Sequence, residues 1–171
     1  MRWLWIDRIV ELVPRQKLVA VKNVSLAEEH LHDHFPAIAS RPALPLMPAS
    51  LIIEGMAQSG GILVGHAESF REKVVLAKVS KAELWQDVPP GFTLRYTTVM
   101  QQFDAIGAST SGTIELLDPA HPGFCEKIGA VDLMFSHIDR NMSGVEFPAH
   151  NFVFGETFRT LLTMSGIQAG F

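Results

Sequence analysis

The chain has 171 residues, with 14 Lys and Arg against 18 Asp and Glu, a formal net charge of −4, 47% hydrophobic and 19% charged residues. That length fits one domain, the apolar fraction fills a core, and the modest charge leaves surface for contact between subunits. The acidic balance, with no basic run interleaved with aromatics, excludes nucleic acid as a partner, and no apolar run reaches the ~18 residues that would span a membrane.

The opening MRWLWIDRIVELVPR breaks its apolar run at Asp7 and Arg8, too early for a secretory core segment, so a cytoplasmic location is expected. Lys17 to Ser25 reads as a strand after the Pro14 turn. His30, His32 and His34 then alternate with Leu31 and Asp33. On an extended segment they share one face, but the first and third would be rooted about 13 Å apart, so three imidazoles do not converge and no metal is expected. His66, His121, His137 and His150 show no partner pattern.

Pro48 opens a helix whose Leu51, Ile52, Ile53, Met56, Ala57, Ile62, Leu63 and Val64 spread around the wheel, so protein wraps it on most sides. Counting by three and four from Glu54 gives Gln58, Gly61 and Gly65, a stripe of polar and then small residues. Two readings fit it. Either Glu54 and Gln58 are the thin solvent-facing edge of a buried helix, or the carboxylate is kept in an apolar wall because it is used.

After the helix, Val74 to Ala82 alternates as a strand. Phe92, Leu94, Tyr96 and Met100 continue the alternation, as do Ile106, Ala108, Ile114 and Leu116, and Val131, Leu133 and Phe135 close it. Breaks at Pro89-Pro90-Gly91, Asp104 to Gly107 and Asp118 to Gly123 fit hairpin loops. One long apolar helix followed by four strands is an α+β layout with an antiparallel sheet. The lone Cys125 excludes an internal disulfide and is expected as a small buried or strand residue. In the tail, NMSGVEFPAH reads as a linker and Glu156 to Ile167 as a short amphipathic helix or edge strand.

His34 and Glu54 form a chemical pair: a histidine with its pKa near neutrality serves as a base, and a glutamic acid desolvated by an apolar wall holds a proton to give away. Held on opposite sides of a substrate, the two perform an elimination or its reverse.

The order His34-Phe35-Pro36, a proline-rich turn, and then Pro48-x-x-Leu51-Ile52-Ile53-Glu54-x-Met56-Ala57-Gln58 resembles the β-hydroxyacyl-(acyl carrier protein) dehydratases of fatty acid synthesis, FabZ type. Leu4 to Ser25, Lys78 to Val99 and Ala130 to Asp139 extend the likeness over residues 1–140 in the family's order. The resemblance implies a hotdog fold, a curved antiparallel sheet wrapped around a long central helix, over residues 1–140. Residues 141–171 are then an extension packing on the domain or the dimer.

The resemblance further implies a homodimer with the site at the subunit interface, possibly assembling into a higher oligomer. His34 would be the base and Glu54 the acid, with Gln58 holding the carboxylate. Phe35 and Pro48 would flank the substrate, and the backbone N–H groups of Ala49 and Ser50 would polarise the thioester carbonyl. The reaction implied is dehydration of a 3-hydroxyacyl thioester, on acyl carrier protein or coenzyme A, to a trans-2-enoyl thioester without a cofactor. Arg41, Arg71 and Lys73 are candidates for meeting an acidic carrier. The alternatives are a hotdog acyl-thioester hydrolase and a non-catalytic acyl-binding module.

Two local departures from the family accompany the match. The loop from Ala37 to Pro45 is longer, so it is either absorbed as a bulge beside the site or displaces His34. Ala37 and Ala49 stand where the family has glycine.

Overall fold

The computed structural model describes residues 3–138, 147–148, 151 and 153–168. The linker read into residues 141–150 lies outside these apart from Phe147 and Pro148, as do Asp139 and His150. Strands β1 (Arg8–Val13) and β2 (Lys17–Asn23) come first, then a short helix α1 (Glu29–Asp33) and the long helix α2 (Ala49–Ala67). Four strands follow, β3 (Val74–Leu84), β4 (Thr93–Phe103), β5 (Gly107–Leu117) and β6 (Cys125–His137), and then helix α3 (Glu156–Met164).

The strands form one six-stranded sheet in the order β1-β2-β4-β5-β6-β3, every neighbour antiparallel. Alternation in β5 shows why these residues make a sheet with one covered face: Ala108, Thr110, Gly112, Ile114 and Leu116 are buried and their neighbours are not. Helix α2 lies on that face, with Ile52, Met56, Ile62, Leu63 and Val64 almost fully buried. Small residues set how close it comes. A Cβ on Gly55 would stand 2.6 Å from the Tyr96 hydroxyl and 2.8 Å from the Trp5 carbonyl, and one on Gly60 would stand 2.8 Å from the Phe135 ring.

The architecture is the α+β hotdog arrangement that the resemblance implies, with a curved antiparallel sheet around a central helix. Strand β3 forms one edge of the sheet, β1 the other, and β3 is exposed through most of its length, including Leu76 and Val79. The trio His30, His32 and His34 corrects the extended reading: His30 and His32 stand in the helical turn α1 and His34 at its C-terminal end. Lys73 is buried at 6% exposure, which removes it from the surface cations, whereas Arg71 is exposed. Cys125 opens β6 as an exposed residue, so its strand placement holds and its burial does not.

Candidate active site

His34 is held by the backbone opposite it. Its Nδ1 lies 2.8 Å from the Leu46 carbonyl. A carbonyl only accepts, so Nδ1 carries the proton and Nε2 of the neutral ring keeps its lone pair. The Leu46 N–H in turn donates to the His34 carbonyl over 2.9 Å.

The long loop folds between those two residues. Phe35 and Leu44 exchange backbone hydrogen bonds of 2.7 and 2.9 Å, and Ile38 and Arg41 exchange bonds of 2.9 and 3.1 Å. The extra residues therefore form a small hairpin paired on itself. Arg41 lies over the Phe35 ring at 5.3 Å and donates to the Pro36 carbonyl. Phe35 itself stacks on His34, with ring centroids 4.1 Å apart.

His34 and Phe35 line an open cavity of about 470 Å³ with Ala49, Leu84, Trp85 and Asp87. Ala49 opens α2 after Pro48, and the Ala49 and Ser50 amides have no backbone acceptor among the described residues. Two free N–H groups at the positive end of a 19-residue helix form a polarising site for a carbonyl. Ala49 lies in the cavity wall, whereas the predicted site residues Pro48 and Ser50 do not line it.

Glu54 lies one and a half turns along α2, half-buried, and accepts a hydrogen bond of 3.0 Å from Gln58 Nε2. Gln58 is fixed in turn: its Nε2 donates to the Trp3 carbonyl over 3.2 Å, and its Oε1 accepts from the Trp5 N–H over 2.8 Å. The N-terminal segment thus clamps the amide that orients the carboxylate, a contact over more than fifty residues of sequence that no local signal reveals. Glu54, Gln58 and Gly61 line a second cavity, of about 280 Å³, with Val75, Phe135 and Phe158. Glu54 and Gln58 are therefore not a plain solvent edge.

The two cavities share no lining residue. Within one chain the structure brings together His34, Phe35 and Ala49 on one side and Glu54 with Gln58 on the other. Among the described residues no group of three His, Cys, Asp or Glu side chains gathers as a metal site.

The FabA-like domain family matches residues 1–114, two thirds of the chain. This chain belongs to that family. It is 35% identical over 111 residues to a protein of Enterococcus faecalis named 3-hydroxyacyl-[acyl-carrier-protein] dehydratase FabZ, covering 63% of this chain and 73% of the relative. Its fold also matches solved structures. One, described as the dehydratase heterocomplex ApeI:P from Xenorhabdus doucetiae, aligns with TM-score 0.59 at 15% identity over 81% of this chain and 86% of that one. Another, an acyl-CoA hydrolase mutant from Staphylococcus aureus in complex with coenzyme A, aligns with TM-score 0.55 at 14% identity over 77% and 70%. Both likenesses carry the hotdog fold, and membership of the FabA-like family rests on the sequence match.

Proposed function

We propose that this chain is a 3-hydroxyacyl-[acyl-carrier-protein] dehydratase of fatty acid biosynthesis, working in the cytoplasm as a homodimer with its sites at the subunit interface. Residues 1–140 are the catalytic hotdog domain and 141–171 the extension. The observation that carries the reading is the split of the machinery: the base and the acid of one elimination lie in separate cavities of one chain.

Strand β3 supplies a way to join them. Leu84 at its end lines the His34 cavity, and Val74, Val75 and Leu76 at its start line the Glu54 cavity. Two β3 edges pairing antiparallel about a two-fold axis set the start of each strand against the end of the other. His34 of one chain then faces Glu54 of its partner. The same pairing covers the exposed Leu76 and Val79 and satisfies an open sheet edge.

In such a site the Ala49 and Ser50 amides draw electron density from the thioester carbonyl and acidify C2. Nε2 of His34 removes the C2 proton, the C3–O bond breaks, and Glu54 protonates the departing hydroxyl, which leaves as water. His34 ends protonated and Glu54 ionised, and solvent returns the proton. Gln58 holds Glu54 in line, and Phe35 packs beside the base. No cofactor enters the balance. The substrate arrives as a thioester on acyl carrier protein or coenzyme A, with the half-buried Arg41, over the Phe35 ring, as a cation beside the His34 cavity.

The hydrolase reading has the fold of the Staphylococcus aureus neighbour behind it. The test is hydration of a crotonyl or longer 2-enoyl thioester, followed as loss of enoyl absorbance, for the natural chain, His34→Ala and Glu54→Gln. Hydration lost in both variants supports the dehydratase. Release of free thiol without hydration supports the hydrolase.

A further inference from the structure

The chemistry above uses the start of the Glu54–Gln58–Gly61–Gly65 stripe and leaves the rest unexplained. Glu54, Gln58 and Gly61 line the smaller cavity, and beyond them Gly65 seats an aromatic ring from the C-terminal segment. A Cβ at Gly65 would stand 2.5 Å from the Phe154 ring, so glycine is what lets that ring come so close to the helix.

The ring is firmly placed. Phe154 is 2% exposed and meets Phe70 edge-on at 5.0 Å and Phe158 at 5.9 Å. Just before it, the Asn151 amide donates to the carbonyls of Phe70 and Glu72 over 2.9 and 3.1 Å, and its Oδ1 accepts from the Val153 N–H. Helix α3 is anchored by Leu161 and Leu162 in the core and by Ser165 Oγ, which accepts from the Ile9 N–H over 3.1 Å. Val153, Phe154 and Phe158 thus make a rigid wall at the end of the cavity that holds Glu54.

We propose that this wall, Phe154 and Phe158 above all, sets the acyl chain length the enzyme accepts. The proposal rests on the dehydratase reading. Along α2 the distance from Glu54 to Gly65 is about 16 Å at 1.5 Å per residue. An extended hydrocarbon with bonds of about 1.5 Å advances about 1.3 Å per carbon, so a chain lying on the stripe from Glu54 meets the wall after about twelve carbons. The cavity volume, about 280 Å³, lies just below the ~300–1,000 Å³ range of ligand pockets. Acyl groups up to about twelve carbons fit, and longer ones strike the Phe154 ring, which is buried and cannot move without disturbing the core.

The test is kcat/KM for 2-enoyl thioesters from about four to about sixteen carbons, with affinity for the matching S-alkyl coenzyme A thioethers measured alongside as a readout that needs no turnover. The wild type should lose at least about tenfold in both between ten and fourteen carbons. Phe158→Ala, which truncates a half-buried ring at the cavity edge and spares the core, should move that fall to longer chains, raising the ratio of long-chain to short-chain kcat/KM. Phe154→Ala should do the same where it folds. Profiles that coincide for the natural chain and Phe158→Ala in both readouts would overturn the proposal. Length-dependent binding that Phe158→Ala relaxes, with no hydration of any thioester, would uphold the wall and remove the dehydratase reading.

Discussion

His34 and Leu46 hold each other twice, through the imidazole Nδ1–H donated to the Leu46 carbonyl at 2.8 Å and the Leu46 N–H donated to the His34 carbonyl at 2.9 Å. The hairpin beyond them is paired on itself and closes at that point, so the position of the base does not depend on its tip. Replacing residues 37–43 by a glycine turn should leave kcat/KM within about tenfold of the natural chain. Misplacement of a reacting group by about 1 Å costs about a hundredfold, so a loss of that size would show that the hairpin itself positions His34.

Gln58 ties three things together: Glu54, the Trp3 carbonyl and the Trp5 N–H. Gln58→Leu leaves a buried amide donor without its acceptor and frees the carboxylate. Denaturant unfolding should show a loss of about 1–3 kcal/mol, with kcat falling more than KM rises. Unchanged stability would mean the N-terminal segment finds another anchor.

Gly55 sits where α2 comes closest to the sheet. Gly55→Ala gains helix propensity, yet its Cβ would lie 2.6 Å from the Tyr96 hydroxyl and 2.8 Å from the Trp5 backbone oxygen. The backbone atom cannot step aside, so overpacking should win and cost about 1–3 kcal/mol in net stability. A more stable variant by chemical unfolding would contradict the close packing described here.

Acid stability follows from groups that resist protonation when folded. Burial lowers His66 below its ordinary 6.5, and burial does the same for His30 against the pull of Glu28. A hydrogen bond from Arg95 holds Glu115 below its ordinary 4.5. Each group binds its proton more weakly folded than unfolded, so stability is full above the unfolded value and is lost as pH falls. The histidine share starts to go below 6.5 and the Glu115 share below 4.5. His66→Gln should flatten the loss of Tm between about pH 7 and pH 5. A curve as steep as that of the natural chain would exclude His66 as a contributor.

Much of the fold could be read from local pattern. Helix α2 announced itself by its apolar circumference around Glu54 and Gln58, and β5 by an alternation that burial follows residue by residue. The pairing of Gln58 with Glu54 was visible as an i, i+4 spacing. What sequence could not carry was contact through backbone atoms. The Leu46 carbonyl that sets the tautomer of His34, and the Trp3 and Trp5 groups that clamp Gln58, have no side-chain signature. The His30-His32-His34 alternation misled because a five-residue helical turn interrupts it. The segment after Phe35 showed only prolines and no alternation, so its paired hairpin was invisible. Nor did spacing along the chain reveal that His34 and Glu54 open into different cavities.

That separation is the core of the account, and subunit complementation measures it most directly. His34→Ala and Glu54→Gln chains are each inactive alone in enoyl-thioester hydration if both groups act. Co-folded in equal amounts, they form mixed dimers in which one site receives His34 from one chain and Glu54 from the other. Half the dimers are mixed and each has one intact site, so activity should return to about a quarter of the natural level. A mixture that stays inactive while mixed dimers are present, or a single variant that keeps full activity, would contradict a site shared between His34 and the partner's Glu54.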